Sequence, residues 1–145
     1  TVGAAGRVLM PNRPLARATR GGGLVTPSSG SQTGFSTFAI NQGGFSLGAT
    51  VAGGGNHLVV PETAPYLVCL SVEANPAGAF SVSAKVNGTT AVAGIRDNDA
   101  ATVSYNMTAI GLAVLTAGDW LVLEHTGSTP IDFGLGKTEI SLVML

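Results

Sequence analysis

The chain has little charge, one cysteine, one tryptophan and no long apolar run, and each shortage narrows what it can be. Charged residues make up 10% of its 145 residues while 45% are hydrophobic; an ordinary soluble domain carries about 25% charged residues. That is too little charge to cover a free monomer, so part of the surface is expected to be buried between subunits. No uninterrupted apolar stretch approaches the ~18 residues of a bilayer-spanning helix, and no membrane partner is expected. Because Cys69 is alone, no intrachain disulfide can form. Its setting, YLVCLSV, reads as a small buried hydrophobe in a strand. His57 and His125 lie in or beside strands with no HxH or HExxH spacing and no second cysteine, so no metal centre and no cofactor is expected. Cys69 with either histidine lacks an orienting partner and an oxyanion elbow, and the chain reads as a non-enzyme. No charged segment followed by an apolar one opens the sequence, so no secretory signal is visible.

What is present is period-two patterning. In FSVSAKV, Phe80, Val82, Ala84 and Val86 form one row, while Ser81, Ser83 and Lys85 form the other. Similar runs follow at TVSYNMTAIGLAVL, at WLVLEHTG and at the closing ISLVML. In that last strand Ile140, Leu142 and Met144 share a face, and Ser141, Val143 and Leu145 share the opposite one. It would leave ladder groups unmet unless inserted into a sheet. Asn87-Gly88 is a strong hairpin signal, since a type I′ turn needs positive φ at both central residues. Ala117-Gly118-Asp119 marks a second tight turn, with the Asp119 side chain placed to cap local amides. No segment keeps a helical period over ten residues, and about eight short strands at this spacing predict a jelly-roll sandwich.

Charge is distributed unevenly. Arg7, Arg13, Arg17 and Arg20 precede the first acid, Glu62, so three of the seven basic residues and all eight acids lie beyond residue 20. Residues 1–34, rich in glycine, proline and serine, are expected to form a basic N-terminal arm, with residues 35–145 as the globular part. Within the arm, PLARATR suits either one or two helical turns or an extended segment lying on a neighbour. The four arginines are the expected contacts to an acidic protein surface. They lack the interleaved aromatics and the basic stripe of nucleic-acid binders, so nucleic acid is not expected.

The order of these pieces resembles the trimeric jelly rolls of the tumour-necrosis-factor-like superfamily, especially the globular heads of complement and collagen-like proteins. The resemblance runs from about Phe35 to Leu145. It rests on FSTFAI, on VPETAPYLVCLSVEA with Tyr66, on KVNG at residues 85 to 88, on L-x-A-G-D-W-L-V-L from Leu115, and on ISLVML. Two departures stand beside it: Ala64 occupies a position where that family usually has glycine, and no collagen-like repeat precedes the head. The resemblance implies a homotrimer with a shared apolar axis and the C-terminal strand in the inner sheet. Tyr66, Trp120, Phe133 and Leu142 are the expected interface residues. Small trimers of this kind also resemble decoration proteins and head fibres of tailed bacteriophages. That likeness implies a virion location, with a major capsid protein or another virion protein as partner. The alternative is a ligand- or glycan-binding head, at a fibre tip or in a secreted, extracellular complement-like protein.

Three further motifs carry less. Gly134-Leu135-Gly136-Lys137-Thr138 ends like a phosphate-binding loop but has Ile131 where the first glycine belongs and a strand where a helix should follow, so Lys137 is expected to be solvated. Asp97-Asn98-Asp99 supplies two carboxylates where calcium takes about six to eight oxygens, and reads as a polar loop tip. Asn87-Gly88-Thr89 and Asn106-Met107-Thr108 match the glycosylation acceptor pattern, with the hairpin a sufficient reason for Asn87.

Overall fold

The computed structural model describes residues 13–25, 28–74, 79–97, 105–127, 131–133 and 137–145. They form strands and connections without helix: β1 (Leu15–Thr19), β2 (Leu24–Val25), β3 (Ser31–Thr33), β4 (Thr37–Gln42), β5 (Ser46–Thr50), β6 (Asn56–Val59), β7 (Ala64–Ala74), β8 (Phe80–Val86), β9 (Thr90–Asp97), β10 (Tyr105–Leu115), β11 (Trp120–Gly127), β12 (Ile131–Asp132) and β13 (Glu139–Met144). All ladders between them are antiparallel, and they divide into two sheets packed as a jelly-roll sandwich.

The first sheet is built around β7. Its whole length pairs with β10 on one side, while β13 and β12 lie end to end along the other. β13 then pairs with β1 and β1 with β4, and β12 pairs with β2. The second sheet runs β5–β6–β11–β8–β9, with β3 beside β11 beyond β6. The expected alternation holds in both. Phe80, Val82, Ala84 and Val86 point into the core, as do Tyr66, Val68, Leu70, Val72 and Ala74 of β7 and Ile140 and Leu142 of β13. At the hairpin, φ is +50° for Asn87 and +71° for Gly88, the left-handed pair that a type I′ turn requires. The Asn87 side chain also donates to Asp119 at 2.8 Å and accepts the Trp120 amide at 3.1 Å, tying the two turns at that end together. Asp119 in turn accepts the Thr116 amide at 2.8 Å, the local capping expected of it.

The N-terminal region departs from expectation. An arm over residues 1–34 and a first globular residue at Phe35 do not describe residues 13–33, which contribute β1 to the middle of one sheet and β3 to the other. PLARATR is extended, not helical, with Ala16 and Ala18 fully buried. The physical reason is that β1 pairs with β13 from the far end of the chain, so no local pattern marks it. A five-residue strand with alanine as its inward residue offers almost no hydrophobic period. Arg7 and the rest of residues 1–12 lie outside the described residues, as do Asn98 and Asp99.

The two sheets meet closely along one side. β9 carries a bulge between its pairs with Ala84 and Lys85, which leaves Val92 unpaired in the ladder. The Val92 carbonyl turns toward β10, where a Cβ on Gly111 would sit 1.7 Å from its oxygen. Only glycine allows that approach, and with it each edge strand shields the other. Replacing Gly111 with alanine is therefore expected to force the sheets apart and to cost about 1–3 kcal/mol of stability, the usual range for overpacking. Urea unfolding of G111A against wild type checks this, and an unchanged midpoint would mean that the approach is not obligatory.

Candidate functional site

The close approach at Gly111 decides which way β10 faces. Its inward row is Met107, Ala109, Gly111, Ala113 and Leu115, mostly small residues, and its large residues stand outward. Ile110, Leu112 and Val114 are 67%, 70% and 76% exposed. They continue across the sheet in register. Leu112 pairs with Leu67 of β7, Leu67 with Val143 of β13, and Val143 with Leu15 of β1. The adjacent rows add Ile110 beside Cys69, Val114 beside Pro65, and Leu145, whose amide donates to the Pro65 carbonyl at 3.0 Å. Across five strands this outer face is roughly 20 Å wide, and the β10 stripe is about 14 Å tall.

The face has a polar border. Arg17, on the same outer row, bridges Glu139 at 2.6 Å, and the Ser71 hydroxyl donates to Asn106 at 3.1 Å. An apolar centre with a polar margin is the anatomy of a protein–protein contact. Where β10 meets β9 the face runs into a groove of about 460 Å³ lined by Leu112–Leu115, Val86 and Thr90–Val92.

The four expected interface residues sit elsewhere. Tyr66 and Leu142 are fully buried inside the protomer, and Phe133 is 3% exposed, so their side chains are spent on the core. Tyr66 packs edge-on against Phe45 and donates to the Glu62 carbonyl at 3.0 Å. Burial, aided by the Glu62 carboxylate, pushes its pKa upward. Trp120 is half-buried on the outer face of the second sheet, where His57 stacks on it at 3.9 Å with planes 13° apart. That is the side of the sandwich away from the apolar face. Alternation places Leu142 in one row with Ile140 and Met144, but the inner part of that row belongs to the core and not to a contact between subunits.

The arginines are engaged locally as well. Arg13 donates to the Met144 carbonyl at 3.3 Å, Arg17 holds Glu139, and the Arg20 guanidinium lies over the Phe133 ring at 5.1 Å. Cys69 is half-buried on the outer row of β7, not in the core. His125 is 3% exposed on the inward row of β11. Among the described residues no three His, Cys, Asp or Glu side chains gather as a metal site would need.

Lys137 is not simply solvated. Its ammonium reaches Glu73 at 2.7 Å and Asp132 at 2.9 Å, clamping the start of β13 to β7 and β12. These two hydrogen-bonded carboxylates push its pKa up to about 12 from 10.5.

Many solved structures share this architecture, two of which illustrate it. The first is the Eiger TNF of S. frugiperda, with a TM-score of 0.63 and 18% identity over 92% of this chain and 94% of that one. The second is the globular domain of zebrafish complement 1qA protein, with a TM-score of 0.64 and 9% identity over 92% of this chain and 98% of that one. The fold is thus the TNF-like jelly roll. No family model matches the sequence, and no curated protein is recognisably similar to it.

The raised pKa of Lys137 makes a signed prediction. A folded-state pKa above the unfolded value stabilises fully below pH about 10.5, and the contribution is lost as pH rises through about 12. The stability gap between wild type and K137M, measured by urea unfolding, should be small, constant from pH 7 to 10, and closed by pH 12. A gap that persists at pH 12 would show that the lysine acts through packing instead.

Proposed function

We propose that this chain is a structural, non-enzymatic head domain that works as a homotrimer, assembled through the outer face of the β10–β7–β13–β1–β4 sheet. One observation carries the reading: three large apolar side chains, each two-thirds exposed or more, stand along the edge strand of this outer face in a chain with only 10% charge. Left in water, such a face is an aggregation hazard, and closed symmetry is the ordinary way to bury it. The TNF-like fold and the implied three-fold arrangement agree with it.

In the narrower form of this reading, the trimer is a capsid decoration protein of a tailed phage, located on the virion surface and bound across neighbouring shell subunits. The uneven charge supports it, with four arginines ahead of the first acid. Since Arg13, Arg17 and Arg20 have partners or stacking contacts within the fold, Arg7 and the segment around it become the element for docking on a shell protein. Stabilisation would follow from mass action, because the trimer binds the assembled shell and not its free subunits. The alternative reading, a ligand-binding head, is favoured by the His57–Trp120 stack. It lies on the sheet that stays open after the apolar face is covered, with the Asn87–Gly88 hairpin at its edge.

Sedimentation of the purified chain should give a trimer. L112D, at a position 70% exposed in the protomer, should dissociate it at least about 30-fold more readily while leaving the far-ultraviolet circular dichroism unchanged. A wild-type monomer, or an L112D trimer of unaltered affinity, would sink the assembly.

Deleting residues 1–12 tests the narrower reading. The shortened chain should still form the trimer but lose binding to particles, whereas deleting residues 1–34 removes β1 and β3 and should unfold it. Retained particle binding by the 1–12 deletion, with glycan binding that W120A abolishes, would favour the ligand-binding head.

A further inference from the structure

The Asn87–Gly88 hairpin carries a chemistry that its role as a turn does not use. Of the asparagines in the chain, Asn87 alone is followed by glycine. An asparagine amide is an electrophile toward the backbone nitrogen of the next residue. Attack of that nitrogen on Cγ closes a cyclic imide, and the side-chain Nδ2 leaves as ammonia. Water then opens either C–N bond of the ring, giving aspartate or isoaspartate. A following glycine favours the attack because it brings no Cβ to crowd the nitrogen. Asn87 is exposed, so the water is at hand.

The fold holds this amide in place. Its Nδ2 donates to Asp119 Oδ1 at 2.8 Å, its Oδ1 accepts the Trp120 amide at 3.1 Å, and the Asn87 backbone amide donates to the Trp120 carbonyl at 2.8 Å. Asp119 is itself fixed, because its other carboxylate oxygen accepts the Thr116 amide at 2.8 Å. Gly88 is held as well: its carbonyl accepts from Gln32 Nε2 at 2.8 Å, and a Cβ on it would lie 3.0 Å from Cη2 of Trp120. The atom that must leave is therefore the atom that Asp119 binds. Once it has left, a carboxylate faces Asp119 where a charge-assisted hydrogen bond stood, and the contact turns from attraction to repulsion. The isoaspartate product also lengthens the main chain within the turn. Trp120 follows Asp119 directly, so the disturbance reaches the His57–Trp120 stack.

We propose that Asn87 is a self-modification site: the Asp119 clasp withholds its amide from the Gly88 nitrogen, and conversion to aspartate or isoaspartate unfastens the two turns at this end of the sandwich. The substrate is the chain itself, water is the co-reactant and ammonia the leaving product. The step takes place within one subunit and is independent of the trimer and of any partner.

The test is peptide mapping by mass spectrometry while the full chain stands in mildly alkaline buffer, following the gain of one mass unit at Asn87. Folded wild type should convert slowly and the chain in urea much faster. D119A, folded by circular dichroism, should convert about tenfold faster than wild type or more, the factor expected for losing one hydrogen bond to a charged group. Asn41, Asn56 and Asn106, none of them before glycine, should stay unconverted over the same time. N87D, the direct product, should unfold at a lower urea concentration than wild type. A folded wild type that converts as fast as it does in urea, or a D119A rate equal to that of wild type, would overturn the proposal. So would an N87D chain as stable as wild type. If D119A does not fold, D119S decides by the same criterion, since its hydroxyl still caps the Thr116 amide but is too short to reach Asn87.

Discussion

Everything in this sandwich hangs on β7 being paired along both edges. On one side β10 matches it residue for residue from Ala64 to Ala74. On the other, β13 and β12 divide the same length between them. Its inward residues, Tyr66 through Ala74, are without exposure, so this strand forms the floor of the core and allows no slip. A shift of one residue would exchange that row for Leu67, Cys69, Ser71 and Glu73. The register therefore also places Leu67 and Cys69 on the outer face, beside Ile110 and Leu112.

Core and outer face are thus two consequences of one alignment. The second sheet is drawn against β10 at the Val92 bulge, and the small row of β10 faces in because nothing larger than Gly111 fits there. Large residues on the other row have no place left but the surface. An apolar face arises with no loop or insertion made for it, and a low-charge chain has little with which to mask it. The opposite sheet presents a different chemistry, with Ser81, Ser83, the Lys85–Glu124 pair and the His57–Trp120 stack. Such two-sidedness suits a subunit that joins its copies through one face and leaves the other to its surroundings.

Much of the fold was legible in the strand patterns. Phe80 to Val86 alternated as read, Asn87-Gly88 made the hairpin, and the last strand entered a sheet between β7 and β1. The candidate site was less so. Tyr66, Phe133 and Leu142 are expected at contacts between subunits and instead fill the core, because periodicity, which groups Leu142 with Ile140, separates two faces without saying which is the outer one. A usable signal did exist in AIGLAVL: Ala109, Gly111 and Ala113 in one row imply a close backbone approach, which sends Ile110, Leu112 and Val114 outward. The short strands β1 and β3 left no such trace, since their partners lie far along the chain.

By itself the sequence determined an all-β sandwich, its turns and a surface poor in charge, because these follow from local periodicity, backbone preference and composition. Only the tertiary structure decided where the apolar surface lies, that residues 13–25 and 28–33 belong to the sheets and their connections, and that Arg20 lies over Phe133. Each of those depends on pairing between distant segments, and the side to which an alternating row turns is settled only by what packs against it.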